Sequence, residues 1–152
     1  MAFKLTVEGF QDGANIPVRF TCDGDNAPPA LTWVDEPSGT MSFVLIVDDP
    51  DAPGGIWNHW LVWDIPAHVH ALAGNKRHAS VGTSGTNDFG RIGYGGPCPP
   101  KGGGSHRYFF RLFALRTHTL GLSEGAKRSV LDSALKEHVI AETSYMGRYE
   151  RR

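Results

Sequence analysis

The sequence predicts a mainly β protein, an antiparallel sandwich or barrel, and three observations predict it. Short apolar runs alternate with turn residues along most of the chain. Glycine and proline, at 19 and 10 of 152 residues, exceed ordinary usage. A helical period occurs convincingly only once. The candidate strands are Lys4–Val7, Val18–Thr21, Leu31–Val34, Ser42–Asp48, His59–Ile65, Tyr108–Leu115 and Tyr145–Glu150. Many short strands with little helix are the pattern of sandwiches and barrels.

Two of these strands should be central. Phe43-Val44-Leu45-Ile46-Val47 and Trp60-Leu61-Val62-Trp63 are apolar at every position. A strand with one wet face would alternate, so both are expected to be covered on both sides. The convincing helix spans Lys127–Val139, where Val130, Leu131, Ala134 and Leu135 form one apolar stripe. A second, short helical piece is expected near Ala71–Asn75. Residues 74–105 are the outlier: 32 residues with ten glycines. Loops beyond about 12–15 residues without their own secondary structure are uncommon in compact domains and tend to be functional. Phe89, Ile92 and Tyr94 supply anchors by which this one can pack.

A single domain over 1–152 follows from the length, which is enough to bury a core without staples. The formal net charge is −1, with no basic run and no acidic tail. Nucleic acid and anionic membrane surfaces are therefore not expected partners. The start, Met1 to Glu8, reads as a strand and lacks a basic segment followed by an apolar one. No apolar run approaches the about 20 residues of a membrane-spanning helix. The expected location is cytoplasmic. Cys22 and Cys98 lack zinc-site spacing. In a reducing compartment the default reading is two unpaired thiols. A Cys22–Cys98 bridge is the alternative, since both lie in Gly/Pro-rich loops.

Three regions carry the chemistry. Asp48-Asp49-Pro50-Asp51-Ala52-Pro53 puts three carboxylates at the end of a buried strand, where they repel one another unless a donor, a cation or solvent relieves them. Trp57-Asn58-His59-Trp60 walls a histidine with indoles. Gly93 to Tyr108 combines glycines, which let backbone approach a ligand, with prolines that stiffen the loop. This loop is neither a P-loop nor a dinucleotide-binding fingerprint. By strand alternation Phe43, Leu45, Val47 and Asp49 share one face. Trp57, His59, Leu61 and Trp63 share another, and His106, Tyr108, Phe110 and Leu112 a third. If the three strands are neighbours, Asp49, His59, His106 and Tyr108 converge at one end.

Asp49-Pro50-Asp51-Ala52-Pro53, Trp57-Asn58-His59 and Gly95-Gly96-Pro97-Cys98-Pro99-Pro100-Lys101-Gly102 with His106-Arg107-Tyr108 resemble the two signature regions of the phosphatidylethanolamine-binding protein family. This is also called the Raf kinase inhibitor protein family. The compact length, Thr21-Cys22-Asp23-Gly24 and the ending Gly147-Arg148-Tyr149-Glu150-Arg151 resemble its bacterial and archaeal branch. The resemblance implies a two-sheet antiparallel Greek-key β-sandwich with a few short helices. It implies a pocket for phosphate, phospholipid head groups or other small anions, formed by Asp49, Trp57, His59, Pro100, His106 and Tyr108. Asp51 and Arg107 match the motifs as structural residues. The longer C-terminal helix of eukaryotic members has no counterpart before Arg152, so their kinase-binding surface is not carried over.

The expected function is therefore non-catalytic binding, with no cofactor and no metal. A kinase or protease is a second class of partner, and a homodimer is compatible with the resemblance. Other readings compete. Asp49, His59 and His106 could ligate zinc. Gly82-Thr83-Ser84-Gly85-Thr86 misses the hydrolase elbow at its last position. Cys98 with His106 could form a thiol nucleophile and its base. His68, His70 and His78 are expected to be exposed.

Overall fold

The computed structural model describes residues 2–75 and 78–152. Its strands are β1 (Lys4–Val7), β2 (Leu31–Val34), β3 (Ser42–Asp49), β4 (Trp57–Pro66), β5 (Ala71–Leu72), β6 (Thr83–Ser84), β7 (His106–Leu115) and β8 (Val139–Tyr149). One helix, α1, spans Arg128–Leu135. The strands form a three-stranded sheet in the order β1-β2-β5 and a five-stranded sheet in the order β6-β4-β3-β7-β8. Every strand pair is antiparallel.

The apolar runs decide which strands are central. All eight residues of β3 are buried, and β3 lies between β4 and β7. One face of the large sheet, with Phe43, Leu45, Val47, Trp60, Val62, Phe110 and Leu112, packs against Leu5, Val7, Leu31, Trp33 and Leu72 of the small sheet. Its other face presents Val44, Ile46, Leu61 and Trp63 to Leu131 and Leu135 of α1. The continuous hydrophobicity of β3 and β4 thus has two causes, a sheet on one side and a helix on the other.

Four local expectations change. Val18–Phe20 is a turn of 3₁₀ helix, not a strand. Pro17 presets φ at −58°, and the Phe20 and Thr21 amides bond back to the Pro17 and Val18 carbonyls, so no strand partner is needed. The Ala71–Asn75 segment gives strand β5, because Leu72 and Ala71 pair with Leu31 and Thr32. The expected helix to Val139 ends at Leu135, since Val139 pairs with Leu115 and opens β8. Within the stripe, Leu131 and Leu135 are buried, whereas Val130 is exposed. Strand β8 begins six residues before Tyr145; it is the sheet's edge, so polar Glu142, Thr143 and Ser144 fit it.

Cys22 and Cys98 are joined in a disulfide across 76 residues of sequence. The free-thiol reading, which assumed a reducing compartment, is overturned in favour of the bridge. His68, His70 and His78 are exposed, as expected. No helix among the described residues is long and apolar enough to cross a membrane.

Candidate functional site

Strands β3, β4 and β7 end together at one edge of the large sheet, and the side chains there line a cavity of about 210 Å³. All six residues expected from the sequence are in its wall: Asp49, Trp57, His59, Pro100, His106 and Tyr108. Ala52, Pro53, Phe89, Cys98 and Pro99 complete it.

His59 reaches this cavity by a route that alternation does not predict. Leu61 and Trp63 face α1, so a regular strand would turn His59 to the same side. The pairing of β3 with β4 slips here: Val47 faces Trp60, but Asp48 faces Asn58. His59 is the extra residue of a β-bulge, and the bulge changes the face on which the strand end presents its side chains. Asn58 consequently joins Asp48, which follows Val44 and Ile46 by ordinary alternation, on the α1 side, while His59 meets Tyr108 edge to face at 5.2 Å between ring centres. The expectation that His59 shares a face with Leu61 and Trp63 is corrected accordingly.

Hydrogen bonds define which atom each group offers. His59 Nδ1–H donates to the Gly95 carbonyl at 2.6 Å. A carbonyl can only accept, so the proton sits on Nδ1 and Nε2 is the remaining ring nitrogen. Burial pushes the His59 pKa below the ordinary imidazole value, which keeps the ring neutral at pH 7 and leaves Nε2 an acceptor. His106 Nδ1–H donates to Asp49 Oδ2 at 2.7 Å. The other oxygen, Oδ1, accepts the Asp51 amide at 2.7 Å. Asp49 is buried, yet both of its oxygens have partners.

Tyr108 differs. Its hydroxyl is buried beside the Asp49 carboxylate, whose oxygens are engaged by His106 and Asp51, and makes no hydrogen bond of good geometry among the described residues. Burial, and next the Asp49 carboxylate, push its pKa above the phenol range, so it remains a donor at any physiological pH. A buried hydroxyl without a partner costs about 1–3 kcal/mol, which a bound acceptor would recover.

Asp51 and Arg107 stand outside the wall. Arg107 Nε and Nη2 and its backbone amide donate to the Asp51 carboxylate, each at 2.9 Å. These bonds hold the Asp51 pKa down at about 2. The folded pKa is below the unfolded value of about 3.9, so the pair stabilises above pH 4 and ceases to as pH falls through 2. Solvent screening keeps this contribution small. Asp51→Asn should lower the urea midpoint at pH 6 and match the parent near pH 2; an equal deficit at both values would refute the assignment.

Phe89 is the wall residue whose role the sequence did not reveal. Its ring meets Trp57 and His59 at 5.6 and 5.4 Å between centres. The signal was present, an apolar anchor within a glycine-rich loop, but nothing local says which surface it anchors to. Of the three anchors only Tyr94 is buried, and its hydroxyl donates to the Phe20 carbonyl at 2.7 Å. Asn87 shapes the loop between them, donating to the Gly93 carbonyl and accepting from the Phe89 and Arg91 amides.

The competing chemistries find less support. Cys98 is in a disulfide and offers no thiolate to His106. Ser84 is buried within β6, not exposed on a strand-to-helix turn. Among the described residues, no three His, Cys, Asp or Glu side chains group so as to hold a metal ion.

The model of the phosphatidylethanolamine-binding protein family matches residues 6–150. The chain belongs to that family. A UPF0098 protein of Aquifex aeolicus is 47% identical over 145 residues, covering 93% of this chain and 85% of the relative. YbcL of Escherichia coli is 37% identical over 161 residues, covering 98% and 88%. These relatives place the chain in the bacterial and archaeal UPF0098 branch of the family. The crystal structure of Escherichia coli YbcL, described as a new member of the mammalian PEBP family, superposes with a TM-score of 0.91 at 34% identity and covers 99% of each chain. Carboxypeptidase Y inhibitor, solved in complex with its cognate proteinase, shares the fold alone: TM-score 0.63 at 18% identity, covering 99% of this chain and 84% of that one.

Proposed function

We propose that this PEBP-family chain is a non-catalytic binding protein whose cavity takes a small phosphate-containing anion, either free phosphate or the phosphate of a lipid head group. The observation that carries the reading is the Tyr108 hydroxyl, buried in the wall of a small cavity with no well-formed hydrogen bond among the described residues. Around it, both imidazoles have Nδ1 engaged and Nε2 left over. At about 210 Å³ the cavity lies below the usual 300–1,000 Å³ of drug-sized sites, which suits a head group better than a whole lipid.

The donor inventory also selects a protonation state. Asp49 brings negative charge, and neutral His59 accepts rather than donates. A phosphomonoester monoanion fits this set: an unprotonated oxygen accepts from Tyr108, and its P–OH donates to His59 Nε2. The second phosphate pKa is near 6, so affinity should fall as pH rises from about 5 to 8 and the P–OH is lost.

Calorimetry with O-phosphoethanolamine and inorganic phosphate tests this. Binding should be tighter at pH 5.5 than at pH 8, and Tyr108→Phe should weaken it about tenfold or more, the worth of a hydrogen bond to a charged group. Equal affinity in the parent and in Tyr108→Phe would overturn the reading. Regulation of a kinase or protease would be a second use of the scaffold. Partner binding that survives both His59→Ala and His106→Ala would act through the surface, not the cavity.

A further inference from the structure

Asp49 and His59, both at the cavity, are each preceded by a polar residue pointing the other way. Asp48 and Asn58 are cross-strand partners on the α1 side of the large sheet. Asp48 is 1% exposed, and its carboxylate accepts from Arg111 Nε and Nη2 at 3.1–3.2 Å and from Arg128 Nη1 at 3.0 Å. Asn58 has every polar group engaged. Its Oδ1 accepts from the same Arg128 Nη1 at 2.7 Å, while its amide and Nδ2 donate to Asp88 Oδ2. Its carbonyl accepts the Asp88 amide. Arg128 itself is steadied by Asp132, to which Nε donates at 2.8 Å.

Arg128 therefore ties β3 to β4 at the position where their register slips. The bulged His59 has no partner on β3, so its direction depends on its neighbours. Trp60 is held by pairing with Val47, and Asn58 is held by Arg128 and Asp88. We propose that Arg128 is a positioning residue for the cavity: from the opposite face of the sheet it pins Asp48 and Asn58, and so sets the bulge that turns His59 toward the cavity beside Asp49. Arginine suits the task because one nitrogen serves both acceptors while another is anchored within the helix, which a single ammonium cannot reproduce.

The inference takes the cavity as the binding site proposed above, and its test has one arm that needs no ligand. In that arm, proton NMR reads the His59 Nδ1–H donated to Gly95. The signal should persist in the parent and in Leu131→Ala, and shift or vanish in Arg128→Met. Leu131→Ala is the control because Leu131 is fully buried in the same helix and packs in the apolar cluster of Val44, Ile46, Leu61 and Trp63. In the second arm, Arg128→Met should weaken O-phosphoethanolamine binding about tenfold, Arg128→Lys should recover part of that, and Leu131→Ala should stay within about twofold of the parent. Should Arg128→Met fail to fold, Arg128→Lys carries both arms in its place, since it keeps a cation beside Asp48 but cannot serve Asp48, Asn58 and Asp132 together. The positioning role is overturned if the variant keeps both the parent's His59 signal and its affinity, or if Leu131→Ala loses them to the same extent. A parent that does not bind O-phosphoethanolamine refutes the proposed ligand alone, and the His59 signal still decides on Arg128.

Discussion

Serine at Cys22 and Cys98 lowers the unfolding free energy by about 4 kcal/mol, the value expected from chain entropy for a closed loop of this length. The two cysteines are 76 residues apart, so the bridge removes many conformations from the unfolded chain. For a protein of this size such a loss corresponds to roughly 8–16 °C in Tm. Urea unfolding of the oxidised parent against the double variant measures it, and a difference below 1 kcal/mol would show that the bridge constrains little. The bridge also bears on the cavity. Cys98, Pro99 and Pro100 are consecutive wall residues, and the Cys22 amide donates to the Pro97 carbonyl at 3.1 Å. That bond, and the one from the Gly96 amide to Asn26 Oδ1, remain when the sulfurs are gone. The wall should therefore survive in the folded variant, with stability falling far more than affinity.

Gly96→Ala is expected to damage both. A Cβ at this position would lie 2.2 Å from the Phe20 carbonyl oxygen and 2.4 Å from Asn26 Oδ1. Neither can retreat cheaply. The Phe20 carbonyl accepts the Tyr94 hydroxyl, and Phe20 itself is buried with Ile16 and Tyr108. Asn26 Oδ1 is already the acceptor of the Gly96 amide. Overpacking of this kind costs about 1–3 kcal/mol, and the upper end applies where backbone must move. The loop would shift next to Gly95, whose carbonyl orients His59, so phosphate affinity should drop about tenfold as well. Gly54→Ala is the control, because nothing lies within 4 Å of the added methyl group. It should stay within about 0.5 kcal/mol of the parent. Equal stability and affinity for Gly96→Ala and Gly54→Ala would contradict the packing described.

Much of the cavity was legible in the sequence because its residues lie at the ends of strands with strong local signals. The apolar runs of β3 and β4 marked them as central, and the motifs around Asp49, His59 and His106 marked the edge where they meet. The reasoning about His59 reached the right place by an incomplete route. Alternation alone turns it toward Leu61 and Trp63, and the bulge that reverses this depends on the pairing of Asp48 with Asn58. A register slip belongs to two strands at once, so the period of either strand is blind to it. Val18–Phe20 failed for a related reason. Its β-forming residues have strand propensity, but Pro17 and the local carbonyls offered a closed turn instead.

The sequence by itself determined the mainly β class, the central strands, the six expected wall residues and the family. Each of these is written in patterns a few residues long. Only the tertiary structure decided that Cys22 is bonded to Cys98, that His59 carries its proton on Nδ1, that the Tyr108 hydroxyl makes no well-formed hydrogen bond among the described residues and that Arg128 reaches Asp48 and Asn58. These depend on which groups meet across 36 to 80 residues of chain. Hydrogen bonds and covalent bridges are short-ranged and directional, so the closing of the two sheets and α1 selects the partners, and no local pattern names them.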